Sequence, residues 1–380
     1  MMSKPLPLVV LAAGGTGGHV FPAEALAGEL RQRGFRLALI TDRRGDAYGG
    51  VLGNIETYRV RAGGVAGKGV VAKVKSLVML AVGTWQARGL LKRLQPKTVV
   101  GFGGYASVPT MLAACFGGYK TALHEQNAVL GRANRLLASR VNRIATSFDA
   151  VEGLPSDAKS RVVKTGMPVR NSVAKLVGHA YPVLDDRCTV KLLVIGGSMG
   201  ARVLSDVVPA AIGLLSDDQR KRLHITQQCR PEDLDRVRLA YDELKVSTEL
   251  ETFFTDIPER LAASHLLIAR SGASTVAEAT VIGRPCILVP YPHAIDDHQD
   301  KNAHAVDEAG AGWLMPEPSF TPQALAKRLD ALIELPATLN KAAACAKVTG
   351  RADAVIKLAD MVSELTASRG NDFGSGKQAA

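Results

Sequence analysis

Two α/β domains, each a parallel sheet with helices on both faces, are what this 380-residue chain predicts. Three observations carry that expectation. Short apolar runs alternate with helical patterns from end to end, as βαβ units require. An apolar strand, a Gly-rich turn and a helix start occur together twice, as VVLAAGGTGGHV at residues 9–20 and LLVIGGSMGARV at residues 192–203. The length suits two domains of ~150 residues better than one. Apolar residues at 47% and charged residues at 22% give a globular balance and exclude a disordered chain.

The elements follow in order. Residues 8–12 read as a first strand. A helix is predicted over 22–33, with Pro22 at its start, Arg31 and Arg33 in its last turn and Gly34 as its stop. Strands at 36–41, 98–102, 121–124, 143–146 and 162–165 complete the first half. Residues 182–189, with Asp185 and Asp186, are an irregular lead-in to a second series of strands at 191–195, 223–227, 250–254, 266–269 and 286–289. Helical crossovers between them cover both faces of each sheet. Val355, Leu358, Ala359, Val362 and Leu365 recur at helical spacing, so a late helix has an apolar face that must pack on something. From Ser368 the chain is rich in Gly, Ser and Gln and reads as a disordered tail.

Charge is unevenly spread. Residues 1–166 hold 23 basic and 9 acidic side chains, net +14, whereas residues 167–380 hold 24 and 27, net −3. The halves are therefore expected to meet different partners. From Thr57 to His124 there is no acid, and ten basic residues lie there, Arg59, Lys68, Lys73, Lys75, Arg88 and Arg93 among them. Val74, Leu77, Val78, Leu80, Ala81 and Trp85 are interleaved with them. Basic residues flanking an apolar, Trp-bearing segment suit an anionic membrane surface. Nucleic acid is not expected, because no aromatic platform or reader motif accompanies the charge.

The uncharged stretch from Thr98 to Tyr119 is interrupted by Gly101, Gly103, Gly104 and Pro109, so it reads as strand, loop and helix and not as a membrane span. The segment before the first strand is too short for a signal peptide. Cysteines at 115, 188, 229, 286 and 345 form no CxxC pair, and their odd number fits a reducing compartment.

The residues able to carry chemistry sit at strand ends. Gly14-Gly15-Thr16-Gly17-Gly18-His19 follows a strand and opens a helix, where glycines let backbone approach a ligand and free N–H groups meet anions or hydroxyls. It is not GxGxxG, which disfavours a dinucleotide. Gly196-Gly197-Ser198-Met199-Gly200-Ala201 has the same placement and suits a diphosphate, but neither loop has the GK[ST] ending of an ATP-hydrolysing P-loop. Gly101-Phe102-Gly103-Gly104-Tyr105 ends one strand and His124-Glu125-Gln126-Asn127 ends the next. That polar run offers a general base, although His124 alone is more simply a hydrogen-bonded structural residue.

In Arg270-Ser271-Gly272-Ala273-Ser274-Thr275-Val276-Ala277-Glu278, small residues open a helix and Glu278 lies about one turn inside. A carboxylate there accepts both hydrogen bonds of a ribose diol; the alternative is a capping turn with a solvated Glu. Asp296, Asp297, Asp300 and His293 lack metal-ligand spacing. Asp233 and Asp235 fall in a predicted helix as a solvated face. Neither a metal nor a cofactor is expected.

Taken in order, GGTGGHVFPAEALA, GFGGYAS, LHEQN, GMPVR, GGSMGA, RSGASTVAE and HQDKNA resemble the MurG family, over roughly residues 8–365. Met167 and Met199 stand where many members have Asn and Gln. The resemblance implies a GT-B glycosyltransferase fold, two Rossmann-like parallel-sheet domains facing across a cleft. Residues 1–166 would form the acceptor- and membrane-facing domain and 167–349 the UDP-sugar domain. A helix at about 350–366 would pack back on the first domain, before the tail 367–380.

It implies an inverting, metal-independent β-1,4 transfer of N-acetylglucosamine. The donor is UDP-N-acetylglucosamine and the acceptor the C4 hydroxyl of undecaprenyl-pyrophosphoryl-N-acetylmuramyl-pentapeptide, in peptidoglycan synthesis. A peripheral enzyme on the cytoplasmic face of the inner membrane follows, docked through residues 59–97 and belonging to a cell-wall synthesis complex. Carried over by motif, Thr16, Gly17, Gly18 and Asn127 reach the donor from the first domain. Arg170, Ser198, Phe254, Ala273, Ser274, Thr275, Val276, Ala277 and Glu278 line the nucleotide pocket, with Glu278 on the ribose and Gln299 at the sugar. Gly103, Gly104, Tyr105, His124 and Asn134 face the acceptor. His19 is the first candidate for the base and Glu125 the second. Two rival functions are a UDP-N-acetylglucosamine 2-epimerase, which needs no lipid-facing basic patch, and a non-catalytic lipid-carrier adaptor, which needs no donor motifs such as Ser198 and Glu278.

Overall fold

A computed structural model of the chain describes residues 6–15, 17–42, 50–63, 70–185, 188–197 and 200–368, the side chains of 70–73 excepted. It divides into two units, Met1–Arg170 with Asp353–Ala380, and Asn171–Ala352. Of the expected tail 367–380, the residues from 369 onward lie outside those described.

The first unit holds β1 (Leu8–Ala12), β2 (Arg36–Thr41), β3 (Glu56–Arg59), β4 (Thr98–Gly101), β5 (Lys120–Glu125), β6 (Arg143–Thr146) and β7 (Val162–Lys164). They form one parallel sheet in the order β3-β2-β1-β4-β5-β6-β7. Alternate residues of a strand point to opposite faces. Val10, Ile40, Val99 and Leu123 therefore meet the helices Val70–Leu94 and Gly104–Phe116 through Leu91 and Met111. Val9, Leu11 and Val100 meet Leu26 and Leu30 of the helix Gly17–Gln32 on the other face.

The helix Ala354–Ala367 joins that second layer. Leu358, Val362 and Leu365 are buried in it, each worth about 1.5–3 kcal/mol on removal from water. Thr366 Oγ1 lies 2.8 Å from Thr98 Oγ1, and Arg33 Nη1 donates to Asp360 Oδ1 at 2.6 Å.

The second unit repeats the plan with β8 (Val190–Ile195), β9 (Leu223–Gln228), β10 (Ser247–Glu251), β11 (Leu266–Ala269), β12 (Cys286–Leu288) and β13 (Gly312–Leu314), in the order β10-β9-β8-β11-β12-β13. Leu192, Val194, Ile268 and Ile287 pack under the helices Arg202–Gly213 and Pro322–Glu334. The fully buried Arg284 guanidinium donates to the carbonyls of Ala180, Ala262, Ile282 and Gly283, which pins the chain just before the lead-in segment to this unit.

Three expectations need correction, and two strands went unread. The first helix opens at Gly17, not Pro22, so Gly17, Gly18 and His19 form its first turn; Pro22 sits one turn in, at the expense of one backbone bond. The strand expected at 250–254 is Ser247–Glu251, which leaves Phe254 in the following loop. Strands β3 and β13 carried no apolar run; with β10 they lie at sheet edges, where burial on fewer sides relaxes the pattern. Asp233 is buried and accepts from Arg236 Nη2 at 2.9 Å, and only Asp235 is solvated. No described helix is long and apolar enough to cross a membrane; the stretch from Thr98 is β4, a loop and the helix Gly104–Phe116.

Candidate active site

In both sheets the strand order reverses beside the first strand, between β1 and β4 and between β8 and β11. Open α/β sheets bind ligands outside the strand ends at such a point. Register brings the loops there level: Ala12 lies opposite Gly101, and Ala269 opposite Ile195.

In the first unit, Gly14 and Gly15 leave β1, and His19 stands in the first turn of the helix that follows. Thr16 lies outside the described residues. Gly103 and Gly104 leave β4 with φ of 80° and 68°. A Cβ on Gly104 would stand 3.2 Å from His19 Cδ2, so bare backbone is what lets the imidazole lie against this loop. Tyr105 follows, half-buried.

Behind His19 is a buried polar chain. His19 Nδ1 lies 3.2 Å from Gln126 Oε1. Gln126 Nε2 donates to Phe102 O at 2.9 Å and His124 O at 3.0 Å, and lies 3.1 Å from His124 Nδ1. His124 Nε2 is 3.2 Å from Gly166 O. Burial pushes the His124 imidazole down to about 4, with nearby His19 adding to the effect and the Gly166 carbonyl opposing it. It is neutral at physiological pH.

Geometry separates the two candidate bases. Glu125 is 1% exposed. Its Oε1 accepts from Asn127 N at 3.0 Å and Asn127 Nδ2 at 3.4 Å; its Oε2 accepts from Gly131 N at 2.9 Å and Asn134 Nδ2 at 2.8 Å. Both oxygens thus clamp the loop between β5 and the helix Arg132–Leu137. His19 is less buried. Asn134 also donates to His124 O at 3.2 Å, yet its Oδ1 is buried with no hydrogen-bond partner among the described residues. That oxygen and His19 Cε1 both flank Gly103, 3.5 and 3.4 Å from where a Cβ would stand. Asn127 is half-buried beside Glu125, and the Arg170 guanidinium stacks 5.0 Å above the Phe21 ring.

In the second unit, Gly196, Gly197 and Gly200 follow β8, while Ser198 and Met199 lie outside the described residues. A Cβ on Gly196 would stand 2.2 Å from Ala201 N, so the loop closes over that position. After β11, Gly272 caps the helix Ala273–Ile282, whose first amides, at Ala273, Ser274 and Thr275, have no intrahelical acceptor. Ser274 Oγ is buried without a partner among the described residues. Val276 is buried and Ala277 half-buried. Glu278, at 6% exposure, is not the solvated carboxylate of a plain cap.

Phe254 is buried under the Arg260 guanidinium, 4.2 Å above its ring. Gln299 opens the helix His298–Glu308. Its Oε1 accepts from Tyr291 N at 3.0 Å, which leaves the NH2 as its donor end. Its backbone carbonyl accepts from Ser271 Oγ at 2.7 Å, tying this helix to the loop after β11. Among the described residues no three His, Cys, Asp or Glu side chains are placed to hold a metal.

A separate surface lies on the helix Val70–Leu94. Val74, Leu77, Val78 and Trp85 share one face and are exposed, Trp85 at 78%. Beside Trp85 an open groove of about 780 Å³ is lined by Arg59, Arg88, Lys92 and Arg93. Lys68 and the Lys73 side chain lie outside the described residues.

The sequence placed Gln126 in the polar run at 124–127 but pointed to no contact of its own with His19. The available signal was the run of four polar residues after an apolar strand.

The chain matches the glycosyltransferase family 28 N-terminal domain over residues 9–146 and the C-terminal domain of that family over 191–358. It is 56% identical to a protein of Paramagnetospirillum magneticum named UDP-N-acetylglucosamine–N-acetylmuramyl-(pentapeptide) pyrophosphoryl-undecaprenol N-acetylglucosamine transferase, over 95% of this chain and 97% of that one. A Rhodospirillum rubrum protein of the same name is 57% identical, over 96% and 93%. The crystal structure of Acinetobacter baumannii MurG matches with a TM-score of 0.76 at 27% identity, over 94% of this chain and 99% of that one. The calicheamicin glycosyltransferase CalG4, at 15% identity and a TM-score of 0.66 over 95% and 98%, shares the fold alone. The two Rossmann-like units are those of a GT-B glycosyltransferase, and the chain belongs to glycosyltransferase family 28, within its MurG family of N-acetylglucosaminyltransferases.

Proposed function

We propose that the chain moves N-acetylglucosamine from UDP-N-acetylglucosamine to the C4 hydroxyl of undecaprenyl-pyrophosphoryl-N-acetylmuramyl-pentapeptide, with inversion and without a metal. The observation that carries this reading is identity of 56% and 57% along nearly the whole chain to transferases named for those substrates. The epimerase and adaptor alternatives are not favoured by relatives so named.

The second unit takes the donor. The amides of Gly196, Gly197 and Gly200, the Ser198 hydroxyl and the start of the helix Arg202–Gly213 meet the diphosphate. They stabilise the charge that grows on departing UDP, as a preorganised set of dipoles does. Ser274 Oγ and the amides of Ala273 to Thr275 add donors, Val276, Ala277 and Phe254 line the nucleotide, Glu278 accepts from the ribose hydroxyls, and the Gln299 NH2 group donates to the sugar. The buried Ser274 Oγ, without a partner among the described residues, supports this assignment.

The first unit takes the acceptor. Gly103, Gly104 and Tyr105 line it, and the Oδ1 of Asn134, without a partner among the described residues, awaits a donor there. Thr16, Gly17, Gly18, Asn127 and Arg170 serve the donor from this side. The acceptor O4 forms its bond to the anomeric carbon while the bond from that carbon to the UDP oxygen breaks, and UDP leaves with the electron pair. His19 takes the hydroxyl proton, a contribution of roughly 10²–10⁴-fold. Glu125 supports the loop and His124 the network behind His19.

Residues 59–97 dock on the anionic cytoplasmic face of the inner membrane. The apolar stripe enters the interface and the basic groove meets lipid phosphates. Other wall-synthesis proteins are candidate neighbours at that surface. The test is transfer of radiolabelled sugar to a short-chain lipid-linked muramyl-pentapeptide, with EDTA present. Label in the lipid fraction is expected; UDP-sugar binding without transfer overturns the reading.

A further inference from the structure

We propose that Gln126 is a positioning residue that keeps the His19 ring proton on Nδ1 and so leaves Nε2 to receive the acceptor's proton. The inference rests on the reading of His19 as the base.

The argument starts at the far end of the chain. A carbonyl oxygen only accepts, so Gly166 O, 3.2 Å from His124 Nε2, requires the proton on that nitrogen. His124 is fully buried and neutral, and a neutral imidazole has one ring proton. Its Nδ1 is therefore a lone pair. The Gln126 amide group turned toward it also meets Phe102 O and His124 O. Three acceptors converge on one group, so that group is the NH2. An amide oxygen there would face two carbonyl oxygens and a ring lone pair. The Gln126 Oε1 is consequently turned to His19 Nδ1, 3.2 Å away, and an amide oxygen only accepts. His19 Nδ1 must donate, so in the neutral form of the ring the lone pair is on Nε2.

Gln126 and His124 are both buried, so water does not compete for the bonds that fix the Gln126 amide. Free histidine favours the opposite tautomer, with the proton on Nε2. Without Gln126 the basic nitrogen would spend much of its time already protonated. In the Ser-His-Asp triad, losing the group that sets the histidine tautomer costs roughly 10⁴-fold in turnover. A neutral amide is a weaker guide, and a loss of about 10–10²-fold is expected here.

The test uses full-length protein labelled with ¹⁵N-histidine. Long-range ¹H–¹⁵N spectra of the wild type should show His19 as the Nδ1–H form and His124 as the Nε2–H form. Gln126→Met, compared at equal thermal stability, should move His19 toward the Nε2–H form and lower kcat about 10–10²-fold, with the donor KM nearly unchanged. A wild-type His19 in the Nε2–H form overturns the inference, and needs no variant to fold. So does a Gln126→Met protein that loses turnover while its His19 tautomer stays as in the wild type. Full activity in His19→Ala is a different failure: it removes the base reading and leaves the tautomer result standing.

Discussion

The two units share a strand order and a Gly-rich first loop, yet they furnish the same point of the fold in opposite ways. The first unit fills it with side chains: His19, His124, Glu125, Gln126 and Asn134, four of them buried. The second leaves it to backbone: Gly196, Gly197, Gly200 and Gly272 with a helix start, and one buried carboxylate, Glu278. A proton is handled by groups that titrate or hydrogen-bond directionally. A diphosphate is met by many weak dipoles that approach closely. On the proposed reading one scaffold serves both tasks, and the difference lies in what each loop presents.

A pair of substitutions breaks this contrast most sharply. His19→Ala should lower kcat roughly 10²–10⁴-fold and leave UDP affinity, read by calorimetry, within about twofold. Gly196→Ala should do the reverse. Its methyl would collide with the Ala201 backbone nitrogen, so UDP binding should weaken about 10²-fold, as lost hydrogen bonds to a charged group do. The contrast fails if His19→Ala abolishes UDP binding, or if Gly196→Ala binds UDP as tightly as the wild type.

The central strands were legible because burial on both faces makes them continuous apolar runs, as in Leu8–Ala12 and residues 192–195 of β8. The loops that follow were legible because glycines cluster there for steric reasons. The edge strands β3 and β13 were not, since ETYR and GWL carry no distinctive period. Residue identity announced His19 and Glu125 alike as candidate bases. What separates them is tertiary: the four donors on Glu125 come from the loop after β5 and from the helix Arg132–Leu137, up to nine residues away, and Gln126 meets a partner 107 positions distant. Asp233 is a local case: its partner Arg236 is only three residues on, and a carboxylate in a polar segment looks solvated until that side chain is placed.

The smallest expected effect concerns two buried histidines, one per unit. His124 is the penultimate residue of β5, inside the proposed acceptor site, and His265 precedes β11 at the opposite sheet end. Its Nδ1 accepts from Lys191 N at 2.9 Å and its Nε2 donates to Val183 O at 3.3 Å. Burial lowers both pKa values, His124 to about 4. A folded pKa below the unfolded value near 6.5 means that the unfolded chain binds more protons between the two. The stabilisation is complete above pH 6.5 and is lost as pH falls toward 4. For His124 the loss amounts to about 2 kcal/mol between pH 6.5 and pH 5, at 1.36 kcal/mol per pH unit. Urea unfolding at pH 7 and pH 5 should show the first unit weakening, and His124→Gln should flatten that slope. His265→Gln should flatten it only in the second unit, and should leave transfer activity intact, because its ring takes no part in the polar chain behind His19. If His124→Gln kept the wild-type slope, His124 would not be the neutral end of that chain. The contrast between a proton-handling unit and an anion-holding unit would then rest on His19 alone.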